Sequence, residues 1–187
     1  DKVSEYIQEC ERLGIEVLAP SVNNSEHEFT VDEKSIRFGL LAVKNLGRNL
    51  ITTIINERKL NGEYKSFYSF CKRIYGKDFN KRAIESLIKC GALDVLLANR
   101  RQMLLMLPEV LQTLENEKRK NIDGQIGFFD VNSDFQSYHE PTPPNVDEMP
   151  RLDLLQFEKE ITGVYISGHP MQEHNEISEI IKSAKTS

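Results

Sequence analysis

A chain of 187 residues, 39% hydrophobic and 28% charged, is long enough for one medium domain with a modest core. A formal charge of −5 excludes a protein that coats nucleic acid with every face, and no apolar run approaches the roughly 20 residues that span a bilayer. Cys10, Cys71 and Cys90 are odd in number and lack paired-ligand spacing, so they read as reduced, buried thiols of a cytoplasmic protein.

Asp1, followed by Glu5, Glu9 and Glu11, lacks the basic and apolar regions of a leader and reads as the middle of an amphipathic helix. The chain is therefore expected to be a piece of a longer one. Val3 to Leu13 sets Ile7, Cys10 and Leu13 among charged residues, a helix ended by Gly14. Ile15 to Leu18 reads as a short strand before Pro20, and Ser21 to Ser25 is turn-rich. Phe29-Thr30-Val31 and Ile36-Arg37-Phe38 alternate in period two around Asp32-Glu33-Lys34-Ser35, which predicts a β-hairpin. His27, at its start, reads as a surface residue.

The apolar run Leu41-Ala42-Val43 stops at Lys44-Asn45-Leu46-Gly47, and a helix pattern follows at once from Arg48, burying Leu50, Ile51, Ile54 and Ile55. Gly47 allows a tight backbone and Asn45 tolerates positive φ, so the turn can be sharp. The free amides at the start of the next helix form an anion site, which Lys44 and Arg48 flank with positive charge. From these residues two readings stand: a grip on a nucleic-acid phosphate that ignores base sequence, or an ordinary helix-packing corner.

Ser66 can cap a helix with Phe67, Phe70, Cys71 and Ile74 inward, closed by Gly76; aromatics at this spacing, Tyr68 included, are core rather than base-stacking groups. Asn80 caps the next helix, with Ala83, Ile84, Leu87 and Ile88 inward and Gly91 as its stop. Lys44, Arg48, Arg58, Lys59, Lys65, Lys72, Arg73, Lys77, Lys81 and Arg82 outweigh Glu57, Glu63 and Asp78 in this stretch, a local basic face on an acidic chain. Asn99 begins a long pattern through Met103, Leu107, Val110 and Leu114, with a kink or a restart expected at Pro108.

From 121 to 150 the composition turns to Gly, Asn, Asp, Ser and Pro, a linker. Within it Gln125-Ile126-Gly127-Phe128-Phe129 is an apolar island: paired aromatics suit a pocket, and the Gln amide suits fixing their register. Leu152 to Ile161 predicts a helix stopped by Gly163, then an extended Val164 to Ile166 and a last helix over Met171 to Ser183. His169 and His174 lack the further ligands a metal needs, and His169-Pro170 reads as a turn. The acid pairs Asp32/Glu33 and Asp147/Glu148 fall in a turn and a linker, and no nucleophile motif or phosphate-cradling Gly-rich loop is present. No catalytic residue is expected here.

Apolar residue, short turn, apolar residue, Gly and then a helix resembles a helix-hairpin-helix DNA-binding motif. Glu9 to Leu18, Ile36 to Leu40 running into the turn, Asn80 to Asp94, and Gly163-Val164-Tyr165-Ile166-Ser167-Gly168-His169-Pro170 together resemble the bacterial replicative DNA polymerase III alpha subunit. Where that family usually carries Gly, this chain has Asn45. The expected fold is mainly α with a small β-hairpin: a helix-hairpin-helix domain, an extended linker and C-terminal helices. The resemblance divides the chain into the end of the fingers (1–40), a DNA-binding domain (41–120), a linker with a clamp-binding peptide (121–150) and lead-in helices to an oligonucleotide-binding barrel (151–187). It implies a parent DNA-directed DNA polymerase that uses magnesium at a palm upstream of this chain, with no cofactor held here. It also implies contact with duplex DNA through Lys44, Asn45, Leu46, Gly47 and Arg48. Gln125, Phe128 and Phe129 would bind the sliding clamp, among other replicase subunits in the cytoplasm. The alternatives are a purely structural packing segment of the polymerase, or a helix-hairpin-helix module of a DNA repair protein.

Overall fold

The computed structural model describes residues 2–122 and 140–168. The amphipathic N-terminal stretch forms α1 (Lys2–Arg12), and Gly14 at φ 70° turns the chain so that Ile15 N–H reaches back to Cys10 O at 2.8 Å. Three short strands follow: β1 (Glu16–Leu18), β2 (Thr30–Asp32) and β3 (Ser35–Arg37). The expected hairpin is present, with Val31 opposite Ile36 and Asp32 opposite Ser35, and Glu33 at φ 54° in its tight turn. Strand β1 lies parallel to β3 on the other side, giving the order β1-β3-β2.

Phe38-Gly39 leads into a 3₁₀ turn (Leu40–Ala42), so the element before the central turn is one short coil of helix. Helix α2 (Arg48–Asn61) buries Leu50, Ile51, Ile54 and Ile55 as the spacing predicts, and also Arg58. Helix α3 (Phe67–Ile74) is capped by Ser66, which accepts from Ser69 N–H, and α4 (Lys81–Lys89) by Asn80, which accepts from Ala83 N–H at 2.9 Å. Phe67, Tyr68 and Phe70 are core residues. Tyr64 sits between α2 and α3 and donates to Ile54 O at 2.9 Å; burial pushes its hydroxyl up to about 12.

Helix α5 (Arg100–Ile122) opens on a reciprocal cap: Asn99 Oδ1 accepts from Gln102 N–H at 2.8 Å, and Gln102 Oε1 accepts from Asn99 N–H at 2.9 Å. The helix runs through Pro108, so of the two expected outcomes, a kink or a restart, the restart does not occur. Pro108 is exposed, so water can satisfy the Leu104 carbonyl that loses its donor. Asn121 and Ile122, expected in the linker, belong to this helix.

Residues 140–150 are extended and fastened to the start of α5. Glu148 accepts from the amides of Arg100 at 2.8 Å and Arg101 at 3.1 Å, while Pro144 and Val146 carbonyls accept from Gln102 and Asn99 side chains. Helix α6 (Arg151–Thr162) ends at Gly163 with φ 86°. One hydrophobic cluster joins residues from Ile7 of α1 to Val164 beyond α6, so the described parts share a core. Among the described residues no helix is long and apolar enough to cross a membrane. The helix expected over Met171 to Ser183, and His169 and His174, lie outside the described residues.

Candidate nucleic-acid interface

The central turn is as sharp as its residues predict. Asn45 takes φ 66°, the left-handed conformation that its side chain tolerates. Its Nδ2 donates to Ser86 Oγ on α4 at 2.9 Å, which ties the turn to that helix. Gly47 is the N-cap of α2 at φ −81° and ψ 147°, a conformation open to any residue. A Cβ built there would meet nothing within 4 Å. Neither backbone geometry nor internal packing therefore requires a glycine at 47; what remains is room for something from outside.

Helix α2 differs from α3, α4 and α5 in having no side-chain cap, and no acidic residue occupies its first turn. The first bond across its start is Ile51 N–H to Gly47 O at 3.1 Å, which leaves the preceding amides of the helix end facing outward. Their partial positive charge favours an anion. Arg48 is exposed and pairs only loosely with the equally exposed Glu28, at 3.8 Å.

Lys44 is differently employed. Its amide donates to Ile161 O at 3.1 Å and its Nζ to Glu160 O at 2.6 Å, so it closes the C-terminal end of α6. The side chain stays exposed and keeps further donors for a second partner. Leu46 is half-buried against the core. The structure thus brings Lys44, Asn45, Leu46, Gly47 and Arg48 together on one turn, three of them with clear internal duties. Gln125, Phe128 and Phe129 lie outside the described residues.

The second glycine turn is unlike the first. Gly91 has φ 81°, and a Cβ there would lie 2.3 Å from the Arg100 guanidinium and 2.9 Å from Asp94 Oδ2. Arg100 fills the space, donating to Asp94 at 2.7 Å, to Lys89 O at 3.1 Å and to Glu158 at 3.1 Å. Burial pulls the Arg100 proton affinity down, but Asp94 and Glu158 outweigh it and hold the guanidinium firmly charged. This turn is sealed from inside by the Arg100 guanidinium.

The basic stretch resolves into groups with different jobs. Arg58 is buried and donates to Val22 O, Ser25 O and Glu26; Arg73 lies over the Tyr64 ring and ties Glu57 to Gly62 O and Glu63 O. Lys72 pairs with Glu117, and Lys59 with Glu26. Among the described residues no ion pair involves Lys65, Lys77 or Arg82. Nothing in residue type or spacing marks Glu148 or Glu158 as an anchor. Glu158, 1% exposed, accepts from Ile166 and Ser167 amides at 3.1 and 3.0 Å as well as from Arg100. Its buried position on α6 was readable from periodicity, but its partners were not. Among the described residues no three of His, Cys, Asp and Glu converge as a metal site.

Residues 14–103 match the helix-hairpin-helix motif family. The chain is 37% identical over 180 residues to the DNA polymerase III subunit alpha of Thermus aquaticus, covering 96% of this chain and 14% of that protein. It is 38% identical over 175 residues to that of Borreliella burgdorferi, with 91% and 15% covered, and 34% identical over 180 residues to that of Deinococcus radiodurans, with 96% and 13% covered. It therefore spans about one seventh of the length of these relatives. On the match of nearly its whole length to such subunits, with the open turn and its helix inside the matched motif, the chain belongs to the DNA polymerase III alpha subunit family as a helix-hairpin-helix segment.

Proposed function

We propose that this segment holds duplex DNA by its phosphates, without reading sequence, for a parent DNA-directed DNA polymerase. The observation that carries the reading is the open Cβ position of Gly47 beneath an uncapped helix N-terminus. A phosphate oxygen can approach the Leu46, Gly47 and Arg48 amides only where no side chain intervenes. Arg48 and the spare donors of Lys44 supply charge beside it. Nucleotidyl transfer, with its magnesium ions, is assigned to carboxylates elsewhere in the parent. Gln125, Phe128 and Phe129 are assigned to the sliding clamp: two adjacent aromatics in a polar stretch suit an apolar pocket, with the Gln amide fixing register.

One observation favours the rival packing role. Lys44 Nζ is already bonded to Glu160 O, so at least this cation serves the join between the turn and α6. The two readings separate in a salt titration of duplex binding by the 187-residue chain. DNA contact predicts weak, sequence-independent affinity that falls steeply with salt and is lost in Lys44→Ala/Arg48→Ala. Affinity unmoved by that double substitution leaves only packing. For the tether, isothermal titration against a bacterial sliding clamp is expected to show micromolar binding that disappears in Phe128→Ala/Phe129→Ala. No heat from either protein would remove the clamp assignment while leaving the DNA contact untouched.

A further inference from the structure

We infer that Arg82 of α4 is a second phosphate contact, extending the DNA surface beyond the turn. The inference rests on the phosphate-binding reading above and on one join in the fold. Asn45 of the turn donates to Ser86 Oγ at 2.9 Å, so α4 passes directly beneath the candidate site. Residues four apart on a helix share a face, so Arg82 stands one turn before Ser86, about 6 Å along α4.

That face has two ends with different fates. Lys89, three residues beyond Ser86, is used internally: it pairs with Glu160 at 3.6 Å and lies over the Phe157 ring. Arg82 is exposed and makes no ion pair among the described residues. Its nearest acid along the helix, Glu85, is held by Lys81 at 3.7 Å, and the first turn of α4 carries no acidic residue. Nothing within the described fold therefore uses the Arg82 guanidinium, although it stands one helical turn from the Ser86 that holds Asn45. A duplex strand carries a charge every ~3.4 Å of axis, so a strand seated on the turn sets further phosphates alongside this helix. The planar guanidinium suits a phosphate through two parallel hydrogen bonds, whereas Lys would supply charge alone.

The test is fluorescence anisotropy of a labelled 20-base-pair duplex of arbitrary sequence with the 187-residue chain over a range of salt, using wild type, Arg82→Ala, Arg82→Lys, Arg48→Ala and Lys65→Ala. Lys65 lies past the far end of α2, about 20 Å from the turn, so it controls for net charge alone. Arg82→Ala is expected to weaken binding roughly fivefold at moderate salt and to lower the slope of log K against log salt by about 0.9. Arg82→Lys should restore the slope with part of the affinity, and Lys65→Ala should match wild type. If Arg82→Ala keeps wild-type affinity and slope while Arg48→Ala loses both, the Arg82 assignment is overturned and the turn remains the contact. Equal losses in Arg82→Ala and Lys65→Ala would reduce it to net charge and overturn it too. Absence of salt-dependent binding in the wild type overturns the phosphate reading itself, and Arg82 with it.

Discussion

Gly39 and Gly47 lie on either side of the 3₁₀ turn, and only the first is required by the fold itself. At Gly39 a Cβ would lie 2.4 Å from the Glu28 carbonyl carbon and 2.7 Å from Phe29 N, both backbone atoms fixed by the neighbouring strand. Leu40 N–H bonds Glu26 O at 3.0 Å and Leu41 N–H bonds His27 O at 2.9 Å, so the two segments cannot part without losing those bonds. Gly39→Ala is expected to cost about 3 kcal/mol, the upper end for forced overpacking, read by urea unfolding. Gly47→Ala faces empty space and gives up only a preferred N-cap residue, at about 1 kcal/mol. Its larger effect should be on duplex DNA, because the added methyl stands where a phosphate would approach. A Gly47→Ala chain that unfolds as early as Gly39→Ala would show that position 47 is structural after all.

At the scale of elements, the caps show what a sequence displays openly. Ser66, Asn80 and Asn99 each bond an amide three residues on, so residue type and spacing alone locate the start of α3, α4 and α5. The parallel pairing of β1 with β3 was not readable, because Glu16 and Ser35 meet only once the hairpin has closed. The tie between α3 and α5 was equally hidden. Glu117 accepts from Tyr68 Oη at 2.8 Å and pairs with Lys72 at 3.0 Å, joining helices distant in the chain. Burial raises the Glu117 carboxyl, but the bonds from Lys72 and Tyr68 outweigh it and hold it below its ordinary 4.5. A lowered carboxyl pKa means the unfolded chain binds the proton more tightly. The tie therefore stabilises fully above about pH 4.5 and is lost as pH falls through the folded value. Glu117→Gln should be less stable than wild type at neutral pH, and the gap should close in acid. A gap that stays constant from neutral pH into strong acid would mean that Glu117 matters by packing rather than by charge. Tyr68 answers at the other end: burial and the Glu117 bond push its hydroxyl up to about 12, so its phenolate should appear late in an alkaline titration.

Across the whole molecule, the start of α5, the end of α4, helix α6 and the segment after it converge on Arg100 and Glu158. Arg100 ties Asp94 and Lys89 O to Glu158; Glu158 ties Ile166, Ser167 N–H and Ser167 Oγ back to Arg100. A sequence lists these residues but not their meeting, since Arg100 and Glu158 come together only through the packing of α6 on α4. The convergence also sets how the candidate DNA surface is held: Lys44 closes the end of the same α6 whose interior Glu158 anchors. An isolated buried ion pair can often be replaced by apolar residues at little cost, whereas removing one partner costs about 3–5 kcal/mol. Here the two outcomes should not differ much. Glu158→Leu strands the Ile166 and Ser167 amides, and Arg100→Met strands the Lys89 carbonyl, whether or not the other charge is present. A double-mutant cycle of Arg100→Met and Glu158→Leu, followed by urea unfolding, should leave the double variant at least as unstable as either single one. Recovery of the double variant to near wild-type stability would show that the pair is self-contained and that the loop amides find other partners. Persistent loss would mean that the charges serve to gather four stretches of backbone, and that the seat of the candidate DNA turn depends on that gathering.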